Sequence, residues 1–397
     1  MLVARRLLVL LPPLLLLVGA PAARARAPSP PAPRPLRVVF LDALQPENPW
    51  RRELVGAMRA AANDLGIDFV DHAVGHWPGE ILEQARQVLS GPGKPDYLLV
   101  TLHRGTGPGL LEEAERADVP VFVINTGLLP EDRARYGGPR QHFAHWLGQM
   151  QPDDVEAGRQ LAVLLLEAAR ARARAPDAPV RLVALEGRRG DGSALLREEG
   201  LRQALAGSRH AELLQSVSAS WREDVARRKT FLLRRRYPEL QAVWAANDRM
   251  ALGALKGLED AGAGGQVVVG GIDWTPEALE AVRDGRMVAS LGGHFLEGAW
   301  ALVLLYDYHQ GHDFASERLE WRTRLLPLTR DTVDAWLRLH LGMDWEAFDF
   351  RAFSKAAHPG LARYDFSLQA LLAQHGASLP GSLRDSNGHA RPSPPRP

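Results

Sequence analysis

Cysteine is absent from this chain of 397 residues. No disulfide framework can staple it, and no lipidated cysteine can tether it after export. Lysine is scarce too: only four of the 48 basic side chains are Lys, the rest being arginine. We read that bias as the mark of a GC-rich genome and not as function. A large charge of either sign is missing, the formal net charge being +1. Long hydrophobic runs are also missing. The N-terminal one, at residues 7–18, is interrupted by Pro12-Pro13, whereas a membrane-spanning helix needs roughly 20 apolar residues. Signatures of catalysis are lacking as well: there is no nucleophile elbow and no HExxH.

Some features are present at the N-terminus. Arg5-Arg6, the apolar run and the small-x-small triplets Ala20-Pro21-Ala22 and Ala23-Arg24-Ala25 have the layout of a signal peptide over residues 1–27. An uncleaved membrane anchor is the alternative. Sec export fits, and a twin-arginine route stays open. Cleavage takes away four arginines and no acid, leaving 44 basic against 47 acidic side chains, a net charge near −3. No nucleic-acid-binding face is expected from that balance. Residues 28–35, PSPPAPRP, form a proline-rich spacer that cannot join a sheet interior. The roughly 370 residues after cleavage can build two domains with sizeable cores.

From there apolar strands alternate with amphipathic helices. Strands are expected at 36–41, 67–70, 97–101, 121–124, 180–185, 213–217, 242–245 and 267–272. Helices are expected between them, among them 80–89, 110–117 and 155–171. This alternation means parallel sheets covered on both faces. Ligands of such sheets sit in the crevice at the carboxyl ends of the strands. The clearest stretch is QAVWAANDRMALGALKGLEDAGAGGQVVVGGIDWTPEALEAVRDGRMVASL, residues 241–291. Two of its strands end in Asn247-Asp248 and Asp273-Trp274. Trp244, inside an apolar strand, reads as core. Asp248 opens a helix and is either an N-cap or a ligand contact.

The AxND-x-x-ALGAL junction, the VVVGGID strand and the EAVRDG-x-x-ASL run, at this spacing, resemble the type I periplasmic binding proteins, the group that includes the ribose and galactose receptors. The resemblance implies an α/β fold of two Rossmann-like lobes with parallel sheets, joined by a three-stranded hinge. On that pattern the N-terminal lobe is 36–148 with 292–318, and the C-terminal lobe is 149–291 with 319–330. Residues 331–375 lie beyond simple sugar receptors and form a helical C-terminal extension. Its aromatics imply burial on the second lobe or near the hinge. Residues 376–397 are disordered by composition.

The resemblance also implies site residues. Asn48-Pro49-Trp50 matches a loop that opens the first helix and touches ligand. His103-Arg104 and Asn125 match two polar strand ends; where the family often has an acid and an arginine, this chain has Asn125-Thr126. Arg197 matches an arginine that relatives direct at a sugar hydroxyl; a salt bridge to Glu198, Glu199 or a neighbouring lobe residue is the alternative. Trp221 falls at a wall of the cleft. Residues 128–150 are expected to be irregular. His142 and His145 there read as packing or surface groups, since no third ligand with metal-site spacing lies nearby. The 186–192 loop does not match a phosphate loop. No metal and no cofactor are expected.

A sugar presents hydroxyls and an apolar C–H face, so its receptor needs planar aromatics and bidentate polar groups. Trp50, Trp221 and Trp274 supply the first; Asn48, His103, Asn125, Arg197, Asn247 and Asp273 supply the second. Asp273 and Arg197 lead this set, followed by Trp50. The expected function is capture of a sugar-like solute by hinge closure and delivery to a membrane ABC permease. The alternative is a receptor presenting its bound form to a membrane sensor kinase or cyclase. A glycosidase pairing Asp42 with Asp273 is the enzymatic alternative, and we expect no enzyme. A repressor of related fold needs an N-terminal helix-turn-helix where this chain has its signal segment. The chain is expected to be a periplasmic monomer.

Overall fold

The structure, a computed structural model, describes residues 34–44, 46–74, 78–103, 105–173, 178–340 and 344–379. The signal segment, most of the spacer, Arg104 and nearly all of the 376–397 tail fall outside the described residues. Residues from Pro35 on form one unit.

The first sheet is built from β1 (Arg37–Asp42), β2 (Asp68–Ala73), β3 (Tyr97–Val100), β4 (Val121–Ile124) and β5 (Trp146–Pro152). Between these strands run α1 (Pro49–Leu65), α2 (Pro78–Ser90), α3 (Gly107–Arg116) and α4 (Pro130–Tyr136). The second sheet follows with α5 (Asp154–Ala171), β6 (Val180–Glu186), α6 (Gly192–Ala206), β7 (Ala211–Ser218) and α7 (Glu223–Arg236). It continues through β8 (Ala242–Ala245), α8 (Asp248–Asp260), β9 (Val268–Ile272), α9 (Pro276–Arg283) and β10 (Ala289–Gly292). The chain then returns with α10 (Glu297–His309) and β11 (Glu320–Thr323), crosses again to β12 (Leu326–Thr329), and ends in α11 (Val333–His340) and α12 (Leu368–Ala373).

Strand order is β11-β5-β4-β3-β1-β2 in one sheet and β12-β10-β9-β8-β6-β7 in the other. Every described pairing is parallel except β10 with β12. Each order reverses once, between β1 and β3 and between β6 and β8. Those are the switch points where a crevice opens at the strand ends. The central strands β3, β4, β8 and β9 are buried at every position because helices cover both faces.

Local signals explain the boundaries. Asn48 caps α1, its side chain accepting from Trp50 N and Arg51 N, and Pro49 stands at the first helical position. Gly66, at φ 66°, closes the same helix in the left-handed conformation that a side chain would resist. Helices α5 and α6 touch through glycine. A methyl on Gly200 would lie 1.9 Å from the Val155 carbonyl oxygen, and one on Gly158 would lie 2.0 Å from that of Arg197. Gly200→Ala is therefore expected to push the pair apart and to lower stability by about 1–3 kcal/mol. Urea unfolding tests this; an unchanged midpoint would mean that the helices separate freely.

Three crossings join the lobes, at β5–α5, β10–α10 and β11–β12. They are bonded to one another: Asp153 N donates to Thr323 O at 2.8 Å, and the Thr323 hydroxyl donates to Glu297 Oε1.

Two expectations need correction. Residues 128–150 are not irregular throughout; they contain α4 and the start of β5, so the first sheet runs on past residue 148 to Pro152. The β5 sequence WLGQMQP holds glycine, glutamine and proline, which hides its strand character. The extension packs as expected only in part, Trp345 meeting Phe295 of the second crossing at 5.5 Å. Only its first helix, α11, lies on the second lobe, with Trp336 4.8 Å from Trp274. Its aromatics from Trp345 onward cover α1 and α10 of the first lobe. Trp345 donates to Glu53 Oε2 at 3.1 Å. Phe350, Phe353 and Phe366 surround Trp300 at 5.5, 4.8 and 5.2 Å. The cause is α10: from Gly298 to Leu305 every residue is buried, and a helix apolar on all sides needs cover on both. Asp307 then pins the extension, accepting from Lys355 N at 2.7 Å, Ala356 N at 3.1 Å and Tyr364 OH at 2.8 Å.

Candidate functional site

Strained backbone gathers at the strand ends. Asn125 (φ 61°), Ser220 (55°), Trp221 (64°), Asp273 (136°) and Trp274 (57°) all have positive φ without being glycine. Such conformations carry an energetic penalty and persist where the surroundings hold them, often at binding sites.

Arg197 is the centre of the site. It lies on α6 and is buried. Its Nε donates to Asp154 Oδ1 at 2.7 Å, and its Nη1 donates to the Ala246 carbonyl at 2.7 Å and to Asp273 Oδ1 at 3.5 Å. Glu198 and Glu199 pair instead with Arg202, each at 3.3 Å. The salt-bridge alternative for Arg197 and its place beside Asp273 thus hold together. Trp221 covers the guanidinium, its ring centroid 5.9 Å away, and donates its Nε1 to Asp191 Oδ2 at 2.8 Å.

From Asp273 a line of groups reaches the first lobe. His294 Nε2 lies 3.7 Å from Asp273 Oδ1. The His294 ring stacks on Trp50 at 4.9 Å. Trp50 belongs to α1 and His294 to the second crossing. Beside Trp50, Asp42 at the end of β1 accepts from Arg51 Nε at 3.0 Å and from the Thr101 hydroxyl at 2.6 Å. His103 Nε2 stands 3.4 Å from the same carboxylate. Asp42 is thereby occupied within its own lobe, which removes its availability for a catalytic pair with Asp273.

Three of the expected residues have structural duties. Asn48 and Asn247 cap α1 and α8, the latter accepting from Met250 N at 3.0 Å. Trp274 is not a cleft wall: its Nε1 donates to Ser290 O at 3.0 Å and its ring is packed over Gly292 and against Trp336. Asp248, the open case, accepts from Thr275 N and from the Ser290 hydroxyl, both at 2.8 Å, and so fixes the β9–α9 turn. Of the two histidines weighed as metal ligands, His145 is held by Glu115 and Asp118 and His142 packs on Tyr136.

Thr126, Asp154, Asp191, His294 and Glu297 were not singled out from sequence. Each is buried, and all but Asp154 carry a buried polar atom without a hydrogen-bond partner, as do Trp50 and His103. No motif marks them. Thr126 and Asp191 lay inside stretches already noted, at Asn125-Thr126 and in the 186–192 loop, and Asp154 opens a helix one residue after its Asp153 cap.

Burial governs the charges here. It pushes the Asp273 carboxyl from the usual 3.8 to about 8, against the pull of Arg197 and with help from the Asp248 charge. Burial also raises Asp154 and Glu297 and lowers His294. Asp42 goes the other way, since His103, Thr101 and Arg51 together outweigh its burial. A protonated Asp273 is a hydrogen-bond donor at neutral pH. The folded chain then keeps a proton that the unfolded chain releases, so stability falls as pH rises from about 4 to about 8 and levels off above. Asp273→Asn is expected to flatten that fall. Melting curves between pH 4 and 9 test this; parallel curves for variant and parent would refute a proton held on Asp273.

Two α/β lobes, three crossings and a polar, buried seam between them define a solute-binding protein. The family description "Periplasmic binding protein domain" matches residues 43–313. The chain belongs to the periplasmic binding proteins of type I, the sugar-binding family. It is 27% identical to a xylitol-binding protein of Mycolicibacterium smegmatis over 64% of this chain and 67% of that one. It is 37% identical to the ribose import binding protein of Salmonella typhimurium over 28% of this chain and 37% of that one. A periplasmic sugar-binding protein from Pseudomonas fluorescens has a similar solved structure, with TM-score 0.75 and 33% identity, covering 85% of this chain and 99% of that one.

Proposed function

We propose that the protein captures a sugar or sugar-like solute between its lobes by hinge closure and delivers it in the periplasm to a membrane ABC permease. The observation that carries this reading is the line Trp50–His294–Asp273–Arg197. It starts in the first lobe, passes through a crossing and ends in the second. Trp50 comes from the first lobe and Arg197 with Asp273 from the second, so a ligand that touches both favours the closed form. Asn48, His103, Asn125, Trp221 and Asn247 line the same seam in this reading, and Trp274 supports it from behind. We prefer delivery to an importer over signalling to a sensor because the ribose relatives are named import binding proteins.

The test is a thermal-shift panel on the mature chain with xylitol, ribose, allose, fructose, galacturonate and glucuronate. A ligand at 100 times its dissociation constant adds about 2.7 kcal/mol to stability. Small-angle scattering should show compaction with the same compound. A folded sample with neither a shift nor compaction across neutral and acidic sugars would overturn the reading.

A further inference from the structure

A second feature adjoins this seam and shares Asn125 with it. A cavity of about 200 Å³ is walled by Asn125 and Thr126 at the end of β4, by the crossing strands β5 and β11, and by the first turn of α6. Asp154, the partner of Arg197, is on its wall as well. We propose that this cavity receives an oxyanion carried by the ligand, a carboxylate or phosphate borne on a sugar. The inference rests on the sugar-binding reading and narrows its substrate class.

The wall holds two cations, Arg133 and Arg322, and two anions, Asp154 and Glu320, but Asp154 takes its close partner, Arg197, from outside the wall. Arg133 is paired with Glu320, and Asp154 with Arg197. Arg322 also lines the cavity, and among the described residues it has no ion-pair partner. Strand alternation puts Arg322 on the same face of β11 as Glu320, while Trp321 between them is buried on the other side.

The free hydrogen-bonding groups are donors. Helix α6 starts at Gly192 without a side-chain cap bond, because the Asp191 carboxylate takes the Trp221 indole N–H and does not cap. Asp191 itself does not line the cavity. Opposite this bare turn stands Thr126, which is 2% exposed and whose hydroxyl has no partner. The two approach so closely that a methyl on Gly192 would lie 3.2 Å from the Thr126 hydroxyl oxygen. Arg133 Nη1 is a further buried donor without a partner. A helix N-terminus, a hydroxyl and a guanidinium facing one small space match the lone pairs of an oxyanion. Arg322, whose charge already acts on Asp154, would gain an ion-pair partner from an oxyanion and none from a neutral hydroxyl.

Calorimetry on the mature chain tests this with matched pairs: galacturonate against galactose, glucuronate against glucose, ribose 5-phosphate against ribose, and inorganic phosphate alone. One acid is expected to bind at least about tenfold tighter than its neutral parent, the scale of one charge-assisted hydrogen bond. The advantage should shrink with salt. Arg322→Gln, at an exposed position, should erase it and leave the neutral parent's affinity as it was. Thr126→Val should reduce it in part. Gain from a uronate assigns a carboxylate; gain from the sugar phosphate, or from phosphate alone, assigns a phosphate. Neutral sugars that bind as tightly as their acids, with Arg322→Gln silent, would overturn the inference and leave the sugar-binding reading standing. No binding of any sugar, acidic or neutral, would overturn both.

Discussion

Arg197→Met is expected to lower the unfolding free energy by about 3–5 kcal/mol and to abolish sugar binding. The reason is what the arginine leaves behind. The Asp154 and Asp273 side chains are 2% and 12% exposed, and Arg197 is the cation that both approach, at 2.7 and 3.5 Å. Removing it strands two carboxyls in a low-dielectric seam and also frees the Ala246 carbonyl. Both acids already have raised pKa values with the arginine in place. Without it they must take up protons, so the loss should be smaller at pH 5 than at pH 8. Asp154→Asn added to the variant should recover part of the loss, because a buried amide is cheaper to leave unpaired than a charge. Urea unfolding at both pH values reads the stability, and calorimetry reads the binding. A loss under about 1 kcal/mol at pH 8, the range of an exposed pair, would show that water reaches the cluster.

The second large effect is expected far from the seam. Trp300→Ala should lower stability by about 3–5 kcal/mol, the usual range for a large aromatic removed from a core. Trp300 is 1% exposed and sits where α10 meets Phe350, Phe353 and Phe366. The cavity should loosen residues 344–379 before the sheets unfold. Limited proteolysis would then cut the variant in that stretch while the two lobes stay intact. Binding in the surviving folded fraction should be unchanged, since the ring contacts of Trp300 are with Phe350, Phe353 and Phe366 of the extension. A cooperative melt with no early cleavage would mean that the extension and the first lobe unfold as one body.

Much of the molecule was legible along the chain. The apolar runs that became β1, β3, β4, β8 and β9 are continuous, as strands buried on both faces must be, and their helices carried period-3.6 patterns with readable caps such as Asn48-Pro49 and Asn247. The strand-end motifs pointed to Trp50 and Asp273, and the family resemblance pointed to Arg197. β5 was hidden because its partners, β4 on one side and β11 on the other, come from positions about 25 residues before and 170 after it. His294, Glu297 and Thr126 were hidden because they stand in crossings and turns, where no periodicity marks a side chain that points inward.

The sequence by itself determined the α/β class, because backbone propensity and capping are set by neighbours in the chain, and its resemblance to the type I periplasmic binding proteins implied the two lobes and the candidate groups for a sugar. Only the tertiary structure decided which of those groups remain free. Trp274 and Asp42 had the right chemistry and are consumed by Ser290 and Arg51, while the Thr126 hydroxyl, noted in the sequence only as a departure from the family pattern, keeps its bonding capacity. Whether a polar atom is spent depends on what lies within about 3 Å of it, and in this protein that neighbour usually comes from another strand, another crossing or the other lobe.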